Sequence, residues 1–331
     1  MGKIKALVFA QVNRDILQQR CPDVAFTYAG YSENYIVLDT PQLIDLVSGY
    51  EIIISEFETI DKSVIDAADN LKLLICCRGG MSTVVDIDYA EQNGILVRNT
   101  PGRNSNAVAE YVIGQIINVD RKLALSNMRV QDGTLEQNTY FKPKGYGDSL
   151  WGMDKKSPYH TFRGRGLENI TLGIVGYGRV GRIVCEKARL LGIKVLVYDH
   201  SVSEVTPELE VVDFSTLLRK ADVVSLHCSN YEHKVIMGQN EFSLMKKGSY
   251  FINTARGDLV DEEALINAVK SGHLGQAIID VTQEEPLPID SPLIGVDGLQ
   301  ITPHIAGATD MVIDNVSRIV VAHIKNYLEA K

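Results

Sequence analysis

The chain has 331 residues, of which 45% are hydrophobic and 23% charged, and its formal net charge at pH 7 is -9. This length suggests two domains, and the composition is typical of a globular protein. The acidic balance, the lack of a basic stripe and the lack of an apolar run of membrane-spanning length argue against nucleic acids and membranes as partners.

Cysteine usage indicates a reducing compartment, and therefore a cytoplasmic protein. The number of cysteines is odd, and no Cys-x-x-Cys pair occurs, which is typical of free thiols and argues against a disulfide framework or a metal site. The cysteines are Cys21, Cys76, Cys77, Cys185 and Cys228. The N-terminal sequence MGKIKALVFAQVNRD contains only a short apolar stretch, which predicts a first strand and not a signal peptide.

The first hundred residues alternate between short apolar runs and amphipathic segments. The apolar runs, rich in Val, Ile and Leu, are IKALVFA, YEIIISEF, LKLLICC and GILVRNT. Segments between them, such as TPQLIDLVSG and TIDKSVIDAADN, have the pattern of helices. This alternation predicts parallel strands covered by helices.

A long helical pattern follows, from about Ser105 to Met128, with Asn104 or Ser105 as the predicted N-cap. Residues 130–166 then lose periodicity and are rich in Gly, Pro, Lys, Asp and Tyr. A segment of this length without regular structure is unusual in a compact domain unless it has a function. The alternative is that these residues form an ordinary surface loop without a function.

The alternation resumes at ITLGIVG and continues through KVLVYD, ADVVSLH, GSYFINT and GQAIIDV. Residues 310–329 again show helical periodicity. The chain as a whole therefore predicts an α/β fold, in which two blocks of parallel strands and helices lie on either side of the long helix.

A glycine pattern opens the second block. The strand ITLGIVG leads into Gly176-x-Gly178-x-x-Gly181, and a helical pattern follows. Such glycines allow a tight turn and a close approach of the backbone to a pyrophosphate at the helix N-terminus. Asp199 ends the next strand, where a carboxylate accepts from a ribose hydroxyl and repels a 2′-phosphate. The pattern favours NAD over NADP; its alternative is a glycine turn and a strand-end acid without a ligand.

An arginine follows the strand in FINTARGDLVDEEAL. The carboxyl ends of strands in a doubly wound sheet point into the ligand crevice, so Arg256 is expected beside a bound nucleotide. Its planar guanidinium suits a carboxylate or a carbonyl oxygen. The alternative is a surface arginine that pairs with Asp258 or Glu262.

Another strand ends at Asp280, and Glu284 and Glu285 follow it directly before a proline. Further on, His304 stands in ITPHIAG, either as a structural histidine or as a group that moves protons. A carboxylate that faces a histidine fixes its tautomer and favours its protonated form. Position alone does not choose between the two glutamates.

These motifs together resemble those of the D-isomer-specific 2-hydroxyacid dehydrogenase family. The resemblance covers nearly the whole chain and rests on GYGRVGR, LMKKGSYFINTARGDLVDEEAL, DVTQEEPLP and TPHIAGAT, in that order and spacing. The stretch NGILVRNTPGRNSNAVAEYVIG is also similar to the family's entry into its central helix. HCSNYEH departs from the family pattern, because Cys228 and Ser229 stand where an aliphatic residue or a threonine and a proline are common.

The resemblance implies residue roles. The catalytic arginine is Arg256, the catalytic glutamate is Glu285 because it immediately precedes the proline, and the acid/base histidine is His304. Substrate binding falls on the glycine loop CRGGMSTVVDID, hence on Gly79 and Gly80, and also on Arg256. The implied contacts with the NAD cofactor are Gly176, Tyr177, Gly178, Arg179, Val180, Gly181, Asp199, Thr254, Ala255, Arg256, Asp280 and His304.

The resemblance also implies an architecture of two Rossmann or flavodoxin-like domains. Residues 1–101 with 302–331 are expected to form the substrate-binding domain, and residues 102–301 an NAD-binding domain inserted into it. A homodimer is expected from the family. The cations of residues 130–166 are expected either to overhang the substrate site or to extend a dimer contact, and we favour the dimer contact. These cations are Lys142, Lys144, Lys155, Lys156, Arg163 and Arg165.

The expected reaction moves a hydride between NADH and a 2-keto acid, with the D-2-hydroxy acid on the other side. Arg78, beside the glycine loop, is expected either to bind a distal phosphate or carboxylate of the substrate or to pair with Asp86 or Asp88 on the surface, and the sequence does not choose between the two. The substrate is correspondingly left open between a D-3-phosphoglycerate-like and a glyoxylate-like or hydroxypyruvate-like acid. Two rival functions are a formate dehydrogenase, which expects a glutamine in place of Glu285, and a non-enzymatic NAD-sensing co-repressor.

Overall fold

The computed structural model describes residues 2–135, 157–201, 209–229 and 234–331. The chain divides into two compact units: residues 1–104 with 308–331, and residues 105–307. The boundaries thus lie three and six residues after the predicted ones. Most of the segment 130–166, including the cations before residue 157, lies outside the described residues.

The first unit contains a parallel sheet in the order β2-β1-β3-β4-β5. Its strands are β1 (Ile4–Val8), β2 (Val24–Tyr28), β3 (Ile52–Ser55), β4 (Leu73–Cys76) and β5 (Leu96–Asn99). All residues of β3 and β4 are buried, which explains why every one of them except Ser55 is apolar. Strand β2 was not predicted, because it is an edge strand with only one buried residue.

Helices cover both faces of this sheet. They are α1 (Arg14–Arg20), α2 (Tyr31–Asn34), α3 (Thr40–Leu46), α4 (Lys62–Ala67), α5 (Ile87–Gln92) and α13 (Asp310–Ala330). Asn13, Asp39, Asp61 and Asp86 cap α1, α3, α4 and α5 through side-chain oxygens that accept from first-turn amides. The C-terminal helix α13 packs its apolar stripe on the same face as α1.

The second unit contains a parallel sheet in the order β12-β11-β10-β9-β6-β7-β8. Its strands are β6 (Thr171–Val175), β7 (Lys194–Tyr198), β8 (Glu210–Val211), β9 (Val223–Leu226), β10 (Ser249–Asn253), β11 (Leu274–Ile279) and β12 (Leu299–Ile301). The strand order reverses between β6 and β9, and ligands bind at such a reversal in open parallel sheets. The predicted fold class, two α/β domains with parallel sheets, is confirmed.

Helices cover both faces of this second sheet as well. They are α6 (Ser105–Arg121), α7 (Leu123–Gln131), α8 (Pro158–Thr161), α9 (Arg179–Leu190), α10 (Phe214–Lys220), α11 (Gln239–Leu244) and α12 (Glu262–Lys270), with 3-10 turns at Leu167–Asn169 and Gly257–Leu259. One core joins α6 and α9 to the sheet, and another joins α10, α11 and α12 to it. Within the described residues, no helix is long and apolar enough to cross a membrane.

The prediction of one helix from Ser105 to Met128 is wrong, because two helices occupy this stretch. Lys122 lies between them in the left-handed region, with φ of 50°. The Asn118 side chain accepts from the Ala124 amide at 2.9 Å, and Lys122 Nζ donates to the Thr161 carbonyl at 2.9 Å. These side-chain contacts stabilise a break that no proline or glycine marks.

Candidate active site

The glycine turn lies after β6, at the reversal of the strand order. Gly176 has φ of 97°, and a Cβ at this position would lie 2.6 Å from the Cys228 amide nitrogen. A Cβ on Gly181 would collide with the Gly176 carbonyl oxygen. Two of the glycines are therefore required by close backbone contacts, because any side chain would force β6, α9 and the end of β9 apart.

The third glycine leaves the turn open to a ligand. Gly178 is exposed, and the space beside its Cα is empty within the described residues. It directly precedes α9, whose first turn has no side-chain cap among those same residues. The free amides and the positive end of the helix dipole suit a pyrophosphate. Arg179 is exposed at the first position of α9, and Val180 follows it, half-buried.

Asp199 lies after β7, beside this turn. Its Oδ2 accepts from the Tyr177 amide at 2.6 Å, and its Oδ1 accepts from the Ser201 amide and hydroxyl at 2.8 and 2.7 Å. Partial burial acts to raise the pKa of Asp199, but the donors on Ser201 and Tyr177 outweigh it, so the pKa is lowered. A carboxylate held in its charged form here accepts a ribose hydroxyl and disfavours a phosphate.

Arg256, Glu285 and His304 follow three neighbouring parallel strands. Arg256 comes after β10, Glu285 after β11 and His304 after β12, which are adjacent in the sheet. All three residues therefore lie at the same carboxyl edge of one sheet, and all three are exposed. This edge is where sheets of this kind bind their ligands.

A buried asparagine shapes the turn that carries Arg256. Asn253 is 1% exposed, and its side chain accepts from the Ala255 amide and donates to the Arg256 carbonyl, both at 2.9 Å. Arg256 Nη1 donates to the Ala255 carbonyl at 2.7 Å, and in the described part of the chain no ion pair joins Arg256 to Asp258 or Glu262. The guanidinium keeps further donors for a ligand.

The neighbouring Thr254 carries an unsatisfied group. Its Oγ1 is buried and has no hydrogen-bond partner within the described residues. A buried hydroxyl without a partner is costly unless a ligand or water completes it. Because Thr254 follows β10 directly and Ala255 is buried beside it, this orphaned oxygen fits a cofactor at the sheet edge.

His304 forms a direct pair with Glu285. The Nδ1 atom of His304 lies 2.7 Å from Glu285 Oε2, and the other carboxylate oxygen accepts from the Thr282 amide at 3.2 Å. Glu284 makes no hydrogen bond with the histidine in the described structure; its carbonyl accepts from the Thr282 hydroxyl at 2.7 Å. The Nε2 atom of His304 has no partner in the described part of the chain, so this nitrogen is available for proton exchange.

Asp280 anchors the segment that carries His304. Asp280 is 2% exposed, and its carboxylate accepts from the amides of Ile305 and Ala306 at 2.9 and 2.8 Å. Its backbone carbonyl accepts from the His304 amide at 2.8 Å. These bonds hold His304 in a left-handed conformation, with φ of 54°, which is uncommon for a residue other than glycine.

A cavity of about 480 Å³ opens beside the pair. Its walls are mainly apolar, and Glu285 and His304 form part of its lining. The apolar lining residues are Pro286, Leu287, Leu293, Ile294, Leu299, Ile301 and Pro303. His304 is 54% exposed, so a small molecule can reach its ring without rearrangement of the sheet edge.

Arg78, Gly79 and Gly80 belong to the other unit, after β4. Both glycines are exposed with open space beside them. The Arg78 guanidinium lies 5.3 Å from the centre of the Phe57 ring. The acids expected as its alternative partners, Asp86 and Asp88, form no ion pair with it, and Asp86 instead caps α5 by accepting from the Tyr89 amide. Arg78 is thus half-buried on an aromatic ring without an acidic partner within the described residues.

The structure thus gathers the expected cofactor contacts and the Arg256, Glu285 and His304 set along one sheet edge, and places the Arg78 loop in the other unit. Sequence reasoning missed Asn253 and Thr282, which shape the turns around Arg256 and Glu285. The signal for Asn253 was a polar residue at the end of an otherwise apolar strand. Thr282 gave no such signal.

Comparison with known proteins gives consistent results. Residues 113–306 match the family model described as D-isomer specific 2-hydroxyacid dehydrogenase, NAD binding domain. A glyoxylate reductase of Thermofilum pendens is 37% identical over 257 residues, which are 76% of this chain and 70% of that protein. A D-3-phosphoglycerate dehydrogenase of Archaeoglobus fulgidus is 35% identical over 290 residues, 86% of this chain but 51% of that protein, so the chain spans about half of its length.

Among solved structures, the TT0316 protein of Thermus thermophilus superposes with a TM-score of 0.77 at 29% identity, covering 99% of this chain and 98% of that one. The similarity therefore extends over both units and not only over the matched NAD-binding region.

Proposed function

The chain belongs to the D-isomer specific 2-hydroxyacid dehydrogenase family, and we propose that Arg256, Glu285 and His304 carry its reaction. It is an NAD-dependent oxidoreductase that acts on 2-hydroxy acids and the corresponding 2-keto acids. The resemblance inferred from the sequence motifs is thereby confirmed. The observation that supports the residue roles best is the 2.7 Å contact of His304 Nδ1 with Glu285, which leaves Nε2 open.

When bound, NADH supplies the hydride that reduces the carbonyl carbon of the keto acid. His304 donates a proton from Nε2 to the oxygen that becomes the hydroxyl. Glu285 accepts the Nδ1 proton in a hydrogen bond and thereby stabilises the imidazolium form of His304 before the transfer. In the oxidative direction, neutral His304 removes the hydroxyl proton.

Arg256 binds the keto acid in this proposal. Its free guanidinium donors hold the carboxylate and polarise the adjacent carbonyl as negative charge develops on the oxygen. The Asn253 side chain supports this role because its hydrogen bonds to the Ala255 amide and the Arg256 carbonyl fix the backbone of the turn that carries Arg256. A lysine is a weaker substitute, since its single ammonium cannot bind two oxygens in one plane.

NAD would be held by the second unit. The amides of the Gly176–Gly181 turn would bind the pyrophosphate and Asp199 the adenosine ribose. The orphaned Thr254 hydroxyl and its neighbour Ala255 would line the nicotinamide side, with Asp280 and His304. The first unit would accordingly be the substrate-binding domain, with the exposed Gly79 and Gly80 presenting backbone amides to the substrate carboxylate.

For the substrate, we propose a short 2-keto acid with a second anionic group, such as 3-phosphohydroxypyruvate. The support is Arg78, a cation without an acidic partner within the described residues, oriented by its contact with Phe57. The buried neighbour Glu56 is already paired with Arg103 at 2.7 Å, so it does not compete for Arg78. A glyoxylate-like or hydroxypyruvate-like substrate would leave this guanidinium without an anion.

We further propose a homodimer in the cytoplasm. Helix α7 exposes Leu123, Met128 and Val130 by 51%, 48% and 50%, which is consistent with an apolar surface that a second copy covers. All five cysteines are free thiols, as expected in a reducing compartment. Light scattering of the wild-type protein and of Met128→Glu tests the dimer: a monomeric wild-type protein excludes it.

NADH oxidation with a panel of keto acids tests the function. The panel contains glyoxylate, pyruvate, hydroxypyruvate, 2-oxoglutarate and 3-phosphohydroxypyruvate. We expect the largest kcat/KM with 3-phosphohydroxypyruvate, and formation of the D-isomer from every keto acid of the panel except glyoxylate, whose product is achiral. A larger kcat/KM with glyoxylate or hydroxypyruvate contradicts the proposed substrate class, and no turnover with any of them contradicts the proposed reaction.

A further inference from the structure

We infer that Tyr111 and Thr302 are positioning residues that hold the catalytic histidine in place through the buried carboxylate of Asp280. The inference rests on the proposed function for the role of His304. It adds two residues to which no motif assigns a role, one of them on a helix far from His304 in sequence.

Thr302 connects Asp280 to the rest of the unit. The Thr302 hydroxyl donates to Asp280 Oδ1 at 2.6 Å, the same oxygen that accepts from the Ile305 amide. Together with the Ala306 amide on Oδ2, three donors satisfy this buried anion. We call residues 302–306 the histidine loop. The Asp280 carboxylate links the start of this loop, at Thr302, to the two residues just after His304.

Tyr111 extends this connection to α6. Its hydroxyl lies 2.6 Å from Thr302 Oγ1. Because the single hydroxyl proton of Thr302 is directed to Asp280, Tyr111 must be the donor in this contact. The bonds therefore have one direction, from Tyr111 to Thr302 to Asp280, and each donor strengthens the next.

The protonation state of Tyr111 supports this direction. Burial raises the pKa of Tyr111, and although the Thr302 contact opposes that rise, the nearby Asp280 charge adds to it. Tyr111 therefore keeps its proton at neutral pH. We call the chain of hydrogen bonds from Tyr111 through Thr302 to Asp280 the relay. Its charged end is Asp280, and its neutral donor end is Tyr111.

The need for such a relay follows from the backbone of His304. A left-handed conformation at a residue other than glycine persists only where surrounding contacts hold it. The Asp280 carbonyl and carboxylate bind the amides of three consecutive residues, His304, Ile305 and Ala306. Without the Tyr111 bond, Thr302 loses its hydrogen bond to α6, and its own bond to Asp280 is no longer strengthened by a second donor.

The test compares Tyr111→Phe with Tyr327→Phe, using hydroxypyruvate and NADH. Both substitutions remove one hydroxyl and one 2.6 Å hydrogen bond, but the Tyr327 hydroxyl binds Glu51 and has no connection to Asp280. For Tyr111→Phe we expect kcat to fall about 3- to 10-fold, the scale of one lost hydrogen bond. The KM for NADH should be unchanged, and amide exchange at Ile305 and Ala306 should be faster. Tyr327→Phe should change none of these.

Threonine variants provide a second, independent comparison. Thr302→Ser keeps the hydroxyl and should retain most of the wild-type kcat. Thr302→Val removes the hydroxyl, and its kcat should fall at least as much as that of Tyr111→Phe. Unchanged kcat and exchange in a folded Tyr111→Phe, or equal effects of Tyr327→Phe, overturn the inference. His304→Asn separates the two proposals: if it retains turnover, the proposed function fails, whereas a normal Tyr111→Phe beside an inactive His304→Asn removes only the relay.

Discussion

His304 and Glu285, 19 residues apart in the chain, meet through a 2.7 Å contact between Nδ1 and Oε2. The neighbouring Glu284 has the same chemistry and makes no such contact with its carboxylate in the described structure. The arrangement of the β11–β12 connection, and not the residue type, therefore selects which acid acts on the histidine.

This selection predicts that substitutions of the two neighbouring glutamates affect kcat differently. Glu285→Gln should lower kcat about 100-fold, because an amide does not stabilise the imidazolium as a carboxylate does. Glu284→Gln should leave kcat unchanged, since the Glu284 side chain makes no hydrogen bond with any described residue. Steady-state NADH oxidation measures both; equal losses would contradict the assignment of Glu285.

Asp199 should set the preference between NADH and NADPH. Replacing it with serine removes the negative charge that opposes a 2′-phosphate and keeps an acceptor near Tyr177. We expect the ratio of kcat/KM for NADH to that for NADPH to fall about 10-fold or more. An unchanged ratio would mean that Asp199 does not face the adenosine ribose.

Arg78 should matter only for substrates with a second anion. In Arg78→Met, kcat/KM for 3-phosphohydroxypyruvate should fall about 10- to 100-fold, the scale of a lost charge-assisted hydrogen bond, whereas that for hydroxypyruvate should change by less than about 3-fold. Arg98→Met, at an exposed arginine of the adjacent strand β5, is the control and should affect neither substrate. Equal losses on both substrates would rule out the distal-anion role.

His227 should make stability depend on pH. Burial lowers its pKa from 6.5 to about 3, and its Nε2 lies 2.9 Å from the Ser225 hydroxyl. The folded state therefore favours neutral His227, so its contribution is complete above pH 6.5 and is lost as the pH falls from 6.5 towards 3. The loss is at most about 1.4 kcal/mol per pH unit.

Urea unfolding at several pH values between about 7.5 and 5 measures this effect. As the pH is lowered, the free energy of unfolding of the wild-type protein should fall more steeply than that of His227→Gln. His200→Gln, at an exposed histidine, should behave as the wild-type protein does. Parallel curves for wild type and His227→Gln would contradict a neutral, half-buried His227.

Gly257 should not tolerate a side chain. A Cβ there would overlap the carbonyl group of Thr282, so the turn after β10 would have to move away from the turn after β11. Gly257→Ala should destabilise the protein by about 1–3 kcal/mol and lower kcat/KM through the displaced Arg256. Gly114→Ala, at an exposed position of α6 with open space, should instead stabilise it by up to about 1 kcal/mol. Thermal unfolding distinguishes these outcomes.

Local patterns predicted much of the fold. The buried strands β3 and β4 appear as short runs that are apolar except for Ser55, and the Gly176 turn appears between a strand and a helix, because sequence neighbours determine both. The edge strand β2 was missed because only one of its residues is buried. The break at Lys122 was missed because it depends on Asn118 and on Thr161, which is 39 residues further along the chain.

The candidate site likewise contains residues that local motifs predict and residues that they do not. Arg256, Glu285 and His304 could be named because each stands in a short motif at a strand end. The Tyr111–Thr302 contact joins residues 191 positions apart, and neither residue type marks a partner. Asp280 was expected only as a cofactor contact, because its bonds to Thr302, Ile305 and Ala306 join residues 22 to 26 positions apart.

The most direct test of the central claim is a single-turnover measurement of NADH oxidation by His304→Asn with a saturating keto acid, alongside the Kd for NADH. We expect NADH binding to persist and the rate of oxidation to fall about 100- to 10,000-fold, because the proton donor is gone. A rate close to that of the wild-type protein would contradict the claim that His304 donates the proton.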